Sequence, residues 1–440
     1  MKSYDIIIIG GGPAGASAAL FLEKKGYHIA LLDQARFPRD KVCGEFISPA
    51  ADVILSKLGV LDAVEALNPT RLRGIVLSAY ESSWLQVDYP SSADGAAMTS
   101  LSVERSILDN LMLDKVRNSR IELMEGFKVV DLLFEDNRVC GVKGNDETKT
   151  EFSINAKIVI DAGGRHSISI RRLNLRKNSF GTGKIALATH WEDVKLPRNY
   201  CYMHISHPGY TGMAPVGDNR VNVVLIVEKG CLKGENVDNF FRRTVLKNKL
   251  RKEMLGTARP TEKARVIDSL TYSVKAPQCG GLLLVGDATG FIDPFTGEGI
   301  YLSLRSSQLA SGTVKSAFDR SDFSKERLKI YDRIRRKEFK NKVILSKILQ
   351  RLIYSPSLCV RVVKTLANQK ELSNVLVGVI GDYIPANQVV CFDYFLRVLG
   401  GLLRSQTPFL QASQSLPSKS ALDEKKLAGE TCFEKITLPD

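Results

Sequence analysis

Two glycine-rich segments, far apart in the chain, carry residues that could hold a phosphorylated cofactor. The first follows four isoleucines at residues 6–9 and contains the binding candidates Gly10, Gly12, Pro13, Ala14 and Gly15. Gly10 permits a tight turn, Gly12 lets the backbone approach a diphosphate, and Gly15 lets the next helix pack against the strand. That helix directs its unpaired N–H groups and positive dipole end at the diphosphate. The segment therefore predicts a dinucleotide site.

One acidic residue indicates which nucleotide this site favours. The apolar residues 28–32 predict a second strand, and Asp33 follows it directly. A carboxylate there accepts hydrogen bonds from ribose hydroxyls and repels a 2′-phosphate. The first segment therefore argues against NADP as the bound nucleotide.

The second glycine-rich segment follows the apolar residues 282–285. It supplies the further candidates Gly286, Asp287, Gly297, Glu298 and Gly299. An aspartate at a strand end can accept hydrogen bonds from ribityl hydroxyls. A helix beginning near Gly299 would direct its positive end at a reduced flavin, which carries negative charge. The two segments together predict FAD, with the diphosphate at the first and the flavin end at the second.

Composition narrows the class of protein. The chain has 440 residues, 25% of them charged, which is typical of a globular protein with more than one domain. Its eight cysteines form no CxxC pair and its five histidines are dispersed, so we expect no metal site and a reducing cytoplasm. No run approaches the roughly 18 apolar residues of a membrane span, and the N-terminal isoleucines are explained as a strand instead of a signal peptide.

Much of the net charge of +14 lies in the segment 325–342. At helical spacing Leu328, Tyr331, Ile334 and Phe339 form an apolar stripe beneath these charges. One interpretation is a solvated surface helix. The alternative is peripheral attachment to an anionic membrane on its cytoplasmic face, because basic amphipathic helices bind acidic headgroups. No nucleic-acid recognition motif accompanies the basic residues, so we expect no nucleic-acid partner.

Five motifs in order resemble the p-hydroxybenzoate-hydroxylase-like flavoprotein superfamily, and within it the geranylgeranyl reductase family. They are GGGPAGASAA at 10–19, ARFPRDKVCGE at 35–45, VERSILDNL at 103–111, DAGGRHS at 161–167 and GDATGFIDPFTGEG at 286–299. The resemblance implies an α/β fold: a Rossmann-like FAD-binding domain (GR2-type), an inserted antiparallel β-sheet substrate domain and a C-terminal helical region.

The predicted domains follow from this resemblance and from changes in sequence pattern. The FAD-binding domain is discontinuous, at 1–72, 100–180 and 276–325; the substrate domain is 73–99 with 181–275; a helical region spans 326–411, and a flexible tail spans 412–440.

The resemblance also implies roles for individual residues. Arg39, Lys41 and Arg105 would lie along the FAD, and Gly44 and Gly163 would adjoin it.

Three further residues are candidates for catalysis. Cys43 is either a thiol acting near the flavin or a small buried residue, and Glu45 is either an acid/base group or a loop carboxylate. Tyr210 is either a proton donor or a packing residue of the pocket.

Departures from the family patterns limit the activity. Many hydroxylases carry Asp-Gly where this chain has Gly163-Gly164, and no second GxGxxG exists for NADPH. We therefore expect an external electron donor (NADPH binding transiently, ferredoxin or a quinol). Halogenases need a WxWxIP motif, whereas Trp84 and Trp191 stand alone. The cysteine cluster of electron-transferring-flavoprotein dehydrogenases is also missing.

The segment GYTGMAPVG at 209–217 aligns with a GYxWxFPxG pattern of geranylgeranyl reductases. Gly212 and Ala214 stand where that pattern has Trp and Phe, which predicts a wider pocket for a bulkier apolar substrate. We expect an FAD-dependent oxidoreductase that reduces a lipophilic, isoprenoid- or quinone-like small molecule. The alternatives are a monooxygenase, hydroxylase or tailoring enzyme acting on an aromatic or polyketide-like substrate, and a non-catalytic FAD-binding protein.

Overall fold

The computed structural model describes residues 2–404, apart from 92–94, 96, 178–182, 218, 269 and 292. The predicted tail at 412–440 lies outside the described residues. The strands are β1 (Ser3–Ile9), β2 (Ile29–Asp33), β3 (Phe46–Ile47), β4 (Thr70–Leu72), β5 (Gly74–Ala79), β6 (Ser83–Asp88), β7 (Ser100–Ser102), β8 (Glu122–Glu125), β9 (Lys128–Glu135), β10 (Arg138–Asn145), β11 (Glu151–Asp161), β12 (Arg176–Lys177), β13 (Lys184–Glu192), β14 (Tyr200–Ser206), β15 (Gly209–Val216), β16 (Arg220–Glu228), β17 (Arg259–Pro260), β18 (Arg265–Ile267), β19 (Tyr272–Val274), β20 (Leu282–Leu284) and β21 (Gly290–Phe291).

The helices alternate with strands early in the chain and dominate its last described part. They are α1 (Pro13–Glu23), α2 (Ala51–Leu58), α3 (Leu61–Glu65), α4 (Arg105–Arg117), α5 (Ile168–Arg172), α6 (Val237–Lys247), α7 (Lys249–Leu255), α8 (Gly299–Asp319), α9 (Lys325–Ile353), α10 (Pro356–Asn368), α11 (Lys370–Ile380) and α12 (Phe392–Arg404).

The isoleucine strand β1 lies inside a mixed sheet of order β8-β2-β1-β11-β10-β9, and β20 pairs with β11. The pairs β8–β2, β2–β1, β1–β11 and β11–β20 are parallel, whereas β10 is antiparallel to both β11 and β9. Helices α1, α4 and α8 cover one face of β1. Ile6, Ile7 and Ile8 are fully buried, as expected of a strand covered on both faces. The predicted α/β class with a Rossmann-like sheet is confirmed.

A second sheet has the order β17-β13-β16-β15-β14-β5-β6, and β18 pairs with β13. Its neighbours are antiparallel except β14 and β5, which run parallel. One face packs against α6 and α7. These are two separate helices, because Asn248 between them is extended and its side chain caps α7 by accepting from Arg251 N. Two small sheets, β3-β7-β4 and β12-β19-β21, flank the larger ones.

The other face of the second sheet packs against α9, α10, α11 and α12. The basic segment 325–342 is the first part of α9. Most of its predicted apolar stripe is buried in the protein interior. Leu328, Tyr331 and Phe339 are buried, and Ile334 is the one stripe residue that is exposed. Three of the four residues of the stripe therefore pack inside the fold, and only Ile334 is available for contact with a membrane.

Within the described residues, none of the helices is by itself both long and apolar enough to cross a bilayer. By length and composition alone, α9 and α10 pass that test together, with a bend of 117° between them.

Candidate functional site

A cavity of about 720 Å³ lies between the first sheet, the second sheet and the C-terminal helices. Thirteen residues predicted for the site line it: Gly12, Pro13, Ala14, Lys41, Cys43, Gly44, Arg105, Tyr210, Gly286, Asp287, Gly297, Glu298 and Gly299. The remaining predicted residues, Gly10, Gly15, Asp33, Arg39, Glu45 and Gly163, do not line this cavity. The structure thus brings the two glycine segments to one place.

The first glycine segment has the shape of a phosphate cradle. Gly10 has φ +100°, and a Cβ there would lie 2.7 Å from the carbonyl oxygen of Ala162. A Cβ on Gly15 would lie only 1.7 Å from the oxygen of Gly10. Gly12 precedes α1 without a side-chain cap, which leaves first-turn N–H groups for an anion. These features fit the diphosphate of a dinucleotide.

The two glycine segments touch each other directly. Gly286 has φ +57°, and a Cβ on it would lie 2.7 Å from the Cβ of Ala14. Ser307 Oγ of α8 donates a 2.7 Å hydrogen bond to the carbonyl oxygen of Ala14. The loop before α8 and the loop before α1 therefore form two walls of one cradle.

Asp33 is held at the end of β2 by backbone donors. Its two oxygens accept hydrogen bonds from Gly11 N at 2.7 Å and Ala35 N at 2.8 Å. The carboxylate is thereby fixed beside the glycine loop, and its remaining lone pairs suit ribose hydroxyls.

Gly163 serves the loop after β11. Its N–H donates to Asp161 Oδ1 at 2.9 Å, while Asp161 Oδ2 accepts from Ser167 Oγ and Ser169 N. The acid of this motif therefore fixes its own turn and the start of α5.

Buried Asp109 fixes two of the predicted cofactor-binding arginines. Arg105 makes two hydrogen bonds to it, at 2.8 and 2.7 Å, and Arg39 Nη2 lies 3.5 Å from Asp109 Oδ2. Arg39 also stacks on the Phe37 ring. Burial lowers the pKa of Arg105, but Asp109 outweighs burial and raises it above its usual value. The Arg105 guanidinium therefore stays charged beside the cradle, as anionic phosphates require.

Lys41 and Asp287 both line the cavity beside Gly164, where an added Cβ would lie 4.0 Å from Lys41 Nζ and 3.9 Å from Asp287 Cβ. Burial, together with the charge of Arg105, lowers the pKa of Lys41. Burial raises the pKa of Asp287, and the charges of Lys41 and Arg165 offset part of that effect. A carboxyl held in this way at the cavity wall can accept or donate hydrogen bonds to cofactor hydroxyl groups.

Tyr210 lines the cavity and takes part in a buried polar network. Its hydroxyl donates to Asp293 Oδ1 at 2.5 Å, while Asp293 Oδ2 accepts from Lys184 Nζ at 2.9 Å and Gln350 Nε2 at 2.8 Å. Burial first, and then the charge of Asp293, raise the pKa of Tyr210 well above its usual value. The phenol therefore stays protonated and its proton points at Asp293. Lys184 and Gln350 were not predicted, because nothing in their local sequence indicates this contact.

Glu45 lies behind the cavity and takes part in a second network. Its Oε2 is 2.8 Å from His190 Nε2, and His190 Nδ1 is 2.8 Å from Glu262 Oε1. Side-chain exposure rises along this row, from 5% for Glu45 to 11% for His190 and 28% for Glu262. The three groups thus form a polar path from the interior to the surface.

The charges of this path favour a protonated histidine. Burial lowers the pKa of His190, but hydrogen bonds and charge from Glu45 and Glu262 outweigh it and raise the pKa above its usual value. Burial raises the pKa of Glu262, yet hydrogen bonds from Thr261 and His190 lower it to about 2. Sequence analysis missed His190 because it is 145 residues from Glu45 and no local motif marks it.

Cys43 lines both the main cavity and a small second one of about 20 Å³, which Glu45 and His190 also line. That volume is enough for one water molecule. The backbone oxygen of Cys43 accepts a 2.7 Å hydrogen bond from Asn222 Nδ2, which holds the loop in place.

Glu298 faces the C-terminal region. It is buried and lies 3.2 Å from Lys342 Nζ of α9, and the same ammonium group binds Asp382. Burial, reinforced by the charge of Asp382, raises the pKa of Glu298 to about 8. One cation thus serves two buried carboxyl groups, so one of them retains a proton at neutral pH. Lys342, which the sequence places among surface charges, is largely buried, with 12% of its side chain exposed, and links Glu298 to Asp382.

Comparison with known proteins decides the family. The sequence profile of the FAD binding domain family matches residues 3–343, most of the chain. The chain belongs to this FAD-binding family. FAD is its cofactor, and the cradle described above fits it.

Relatives within the family differ in reaction. The chain is 26% identical over 372 residues to a 1H-pyrrole-2-carbonyl-(peptidyl-carrier protein) chlorinase of Pseudomonas fluorescens, covering 77% of this chain and 81% of the relative. It is also 26% identical over 346 residues to a digeranylgeranylglycerophospholipid reductase of Methanocella arvoryzae, covering 76% and 83%. The expected superfamily is confirmed, whereas halogenases, which the missing WxWxIP motif disfavours, resemble the chain as much as the reductases do.

Solved structures agree on the fold. A flavoprotein/dehydrogenase of Cytophaga hutchinsonii aligns with a TM-score of 0.81 at 20% identity, covering 92% of this chain and 99% of that one. A geranylgeranyl bacteriochlorophyll reductase-like protein of Thermoplasma acidophilum aligns with a TM-score of 0.72 at 20% identity, covering 92% and 98%.

Proposed function

We propose that this FAD-dependent oxidoreductase reduces a lipophilic, isoprenoid- or quinone-like substrate with electrons from an external donor (NADPH, ferredoxin or a quinol). The observation that carries the proposal is that one cavity contains both the FAD cradle and a large apolar chamber. A substrate in this chamber therefore lies beside the cofactor without an intervening wall.

The chamber is lined by apolar side chains from two directions. The second sheet contributes Ile75, Leu77, Met203, Val224 and Ile226, and the C-terminal helices contribute Leu345, Leu349, Val363, Leu366 and Val377. Burying a hydrocarbon is favourable by about 0.8 kcal/mol per CH₂ group, so such a surface selects chains and rings over polar metabolites. Gly212 adds room, because a Cβ there would meet only Met203 Cε, at 3.7 Å.

Some polar residues of the site have a role in binding the cofactor, and others have a role in proton transfer. FAD, when bound, supplies the hydride transfer. The first-turn N–H groups of α1, together with Arg39, Lys41 and Arg105, would hold the diphosphate. Reduction of a double bond or a quinone also needs protons.

We assign proton handling to Glu45, His190 and Cys43. Protonated His190 donates to Glu45, which lies one step behind the main cavity, and Glu262 connects the histidine with solvent. Cys43 stands between Glu45 and the cavity, where its thiol or a water molecule beside it can pass the proton on. In this proposal Tyr210 has a positioning role, since its hydroxyl group donates its hydrogen bond to Asp293.

An anaerobic experiment tests the proposal. The purified flavoprotein is reduced with dithionite under nitrogen, and prenylated quinones and polyprenyl lipids are added one at a time. Recovery of the oxidised flavin absorbance with an apolar acceptor, and not with hydrophilic ones, is the expected result. The proposal fails if none of these acceptors restores the absorbance.

Halogenation or another oxygen-dependent reaction is the second candidate, favoured by the chlorinase relative. It predicts that oxygen is required for turnover and that a halogen or oxygen atom appears in an aromatic product. Mass spectrometry of products formed with oxygen and bromide, compared with the anaerobic series, separates the two candidates.

A further inference from the structure

The last described helix, α12, presents an apolar face to solvent. Phe392, Phe395, Leu396, Leu399 and Leu403 are exposed by 77, 39, 48, 52 and 71%. Their spacing of three, four and seven residues places them on one side of the helix. The helix is anchored by another side, where Tyr394 is buried and its hydroxyl donates to the carbonyl oxygen of Leu372 at 2.9 Å.

This apolar face is continuous with the mouth of the main cavity. Phe395 and Leu399 line the cavity and are also exposed, and Leu358 of α10 does the same from the facing helix. Single exposed apolar residues are ordinary, but a row of them running into a cavity is typical of an interaction site.

The charge around this face indicates the partner. From the end of α9 through α12, residues 351–404 contain six Lys and Arg against three Asp and Glu, and one of these acids, Asp382, is buried and paired with Lys342. Arg351 is exposed at the cavity lining, and Arg361 and Lys364 are exposed on α10. Apolar side chains flanked by cations bind membranes that contain anionic lipids, because the side chains enter the acyl boundary while the cations contact headgroups.

We propose that α12 and the adjoining end of α10 lie on an anionic membrane surface, with the cavity mouth facing the lipid. A lipophilic substrate could then pass from the bilayer into the chamber without crossing water. The nature of that substrate rests on the proposed function, but membrane binding itself does not. This surface differs from the stripe on α9 that the sequence suggested.

The test uses the full-length flavoprotein and vesicles of phosphatidylcholine with or without phosphatidylglycerol. The variant Phe392→Ser/Leu396→Ser/Leu403→Ser removes three exposed side chains, none of which lines the cavity. The control Val53→Ser/Leu67→Ser/Phe134→Ser removes three others, exposed by 48, 56 and 47% and far from α12 in sequence. Co-sedimentation measures binding, and size-exclusion chromatography measures the oligomeric state.

We expect the wild type and the control to sediment with vesicles containing phosphatidylglycerol, and the α12 variant to bind at least about tenfold more weakly. Weaker binding of the wild type to pure phosphatidylcholine is also expected. The proposal is overturned if the wild type stays in the supernatant or if the α12 variant binds equally well. A wild-type dimer that the variant converts to a monomer would also overturn it, since the face would then belong to a second copy.

A second measurement separates this proposal from the proposed function. Reoxidation of the reduced flavin by a short-chain quinone in detergent should be the same in the wild type and the α12 variant. Vesicle binding without reoxidation by any apolar acceptor refutes the proposed function and leaves membrane docking supported. Reoxidation by an apolar acceptor without vesicle binding supports the proposed function and refutes membrane docking.

Discussion

His190 Nε2 lies 2.8 Å from Glu45 Oε2, and this contact joins the second sheet to the loop that follows the first nucleotide-binding strands. Neighbouring carboxylates raise the pKa of His190 above its usual value. The contact therefore stabilises the protein fully below the unfolded-state pKa of about 6.5, and the stabilisation is lost as pH rises through the higher folded-state value.

The variant His190→Gln tests whether this contact handles protons. We expect anaerobic reoxidation to slow by about 100-fold at neutral pH, because the proton path to Glu45 is broken. The fall in rate that the wild type should show as pH rises above about 6.5, through the higher pKa of His190, should disappear. Stopped-flow absorbance as a function of pH is the measurement, with His28→Gln, an exposed histidine, as control. An unchanged pH profile in His190→Gln would assign the histidine a structural role only.

Lys342→Met should destabilise the protein strongly. The substitution leaves Glu298 and Asp382 buried without their shared cation, which costs about 3–5 kcal/mol when one partner of a buried pair is removed. Chemical denaturation followed by circular dichroism measures the loss. Lys340→Met, an exposed position on the same helix, is the matched control and should change stability by less than about 0.5 kcal/mol. Equal stability of the two variants would contradict the buried link.

Gly15→Ala should impair FAD binding. Its Cβ would overlap the oxygen of Gly10, so the loop must shift away from the diphosphate position. Overpacking of about 1–3 kcal/mol corresponds to roughly ten- to hundredfold weaker binding. The flavin content of the purified protein and titration of the apoprotein measure this. Gly312→Ala in α8, where a Cβ meets nothing within 4 Å, should retain full flavin content and gain slight helix stability.

Gly212→Trp should narrow the range of substrates. The residue lines the apolar chamber, and an indole there occupies space that a bulky acceptor needs. Slender acceptors should react as before, while ring-containing ones lose at least about tenfold in rate. Gly212→Ala is the control, since its methyl group makes an ordinary 3.7 Å contact with Met203. If the tryptophan variant keeps the wild-type substrate range, the chamber is not where selection occurs.

The nucleotide-binding half of the fold was predictable because its signals are local. Glycines at 10, 12 and 15 follow a strand, and a strand also precedes Gly286. The buried strand and the glycine turn can therefore both be recognised within a few consecutive residues. The networks at Glu45 and Tyr210 were not predictable in the same way. His190 and Lys184 reach them across 145 and 109 residues, and only tertiary packing sets these contacts.

The environment of α9 is a second feature that could not be predicted from local sequence. Helical periodicity correctly indicates which side of its first turns is apolar. It does not indicate whether that side meets lipid or protein, because both give the same sequence pattern. Lys342 illustrates the same limit for a charged residue. The local sequence does not distinguish a lysine that is buried between two carboxyl groups from one that is exposed to solvent.

The hydrogen bond from Ser307 to Ala14 has a consequence for the biosynthesis of the protein. The two residues are 293 positions apart in the chain. The wall that α8 and its preceding loop form is therefore not yet synthesised while the ribosome translates the segment between α1 and α8. A nascent chain that ends before residue 299 carries the glycine loop and β1 but has nothing to close over the cofactor. Contacts of such sequence separation form late in folding. Capture of FAD is therefore a late event, which follows synthesis of α8 and completes the assembly of the nucleotide-binding fold.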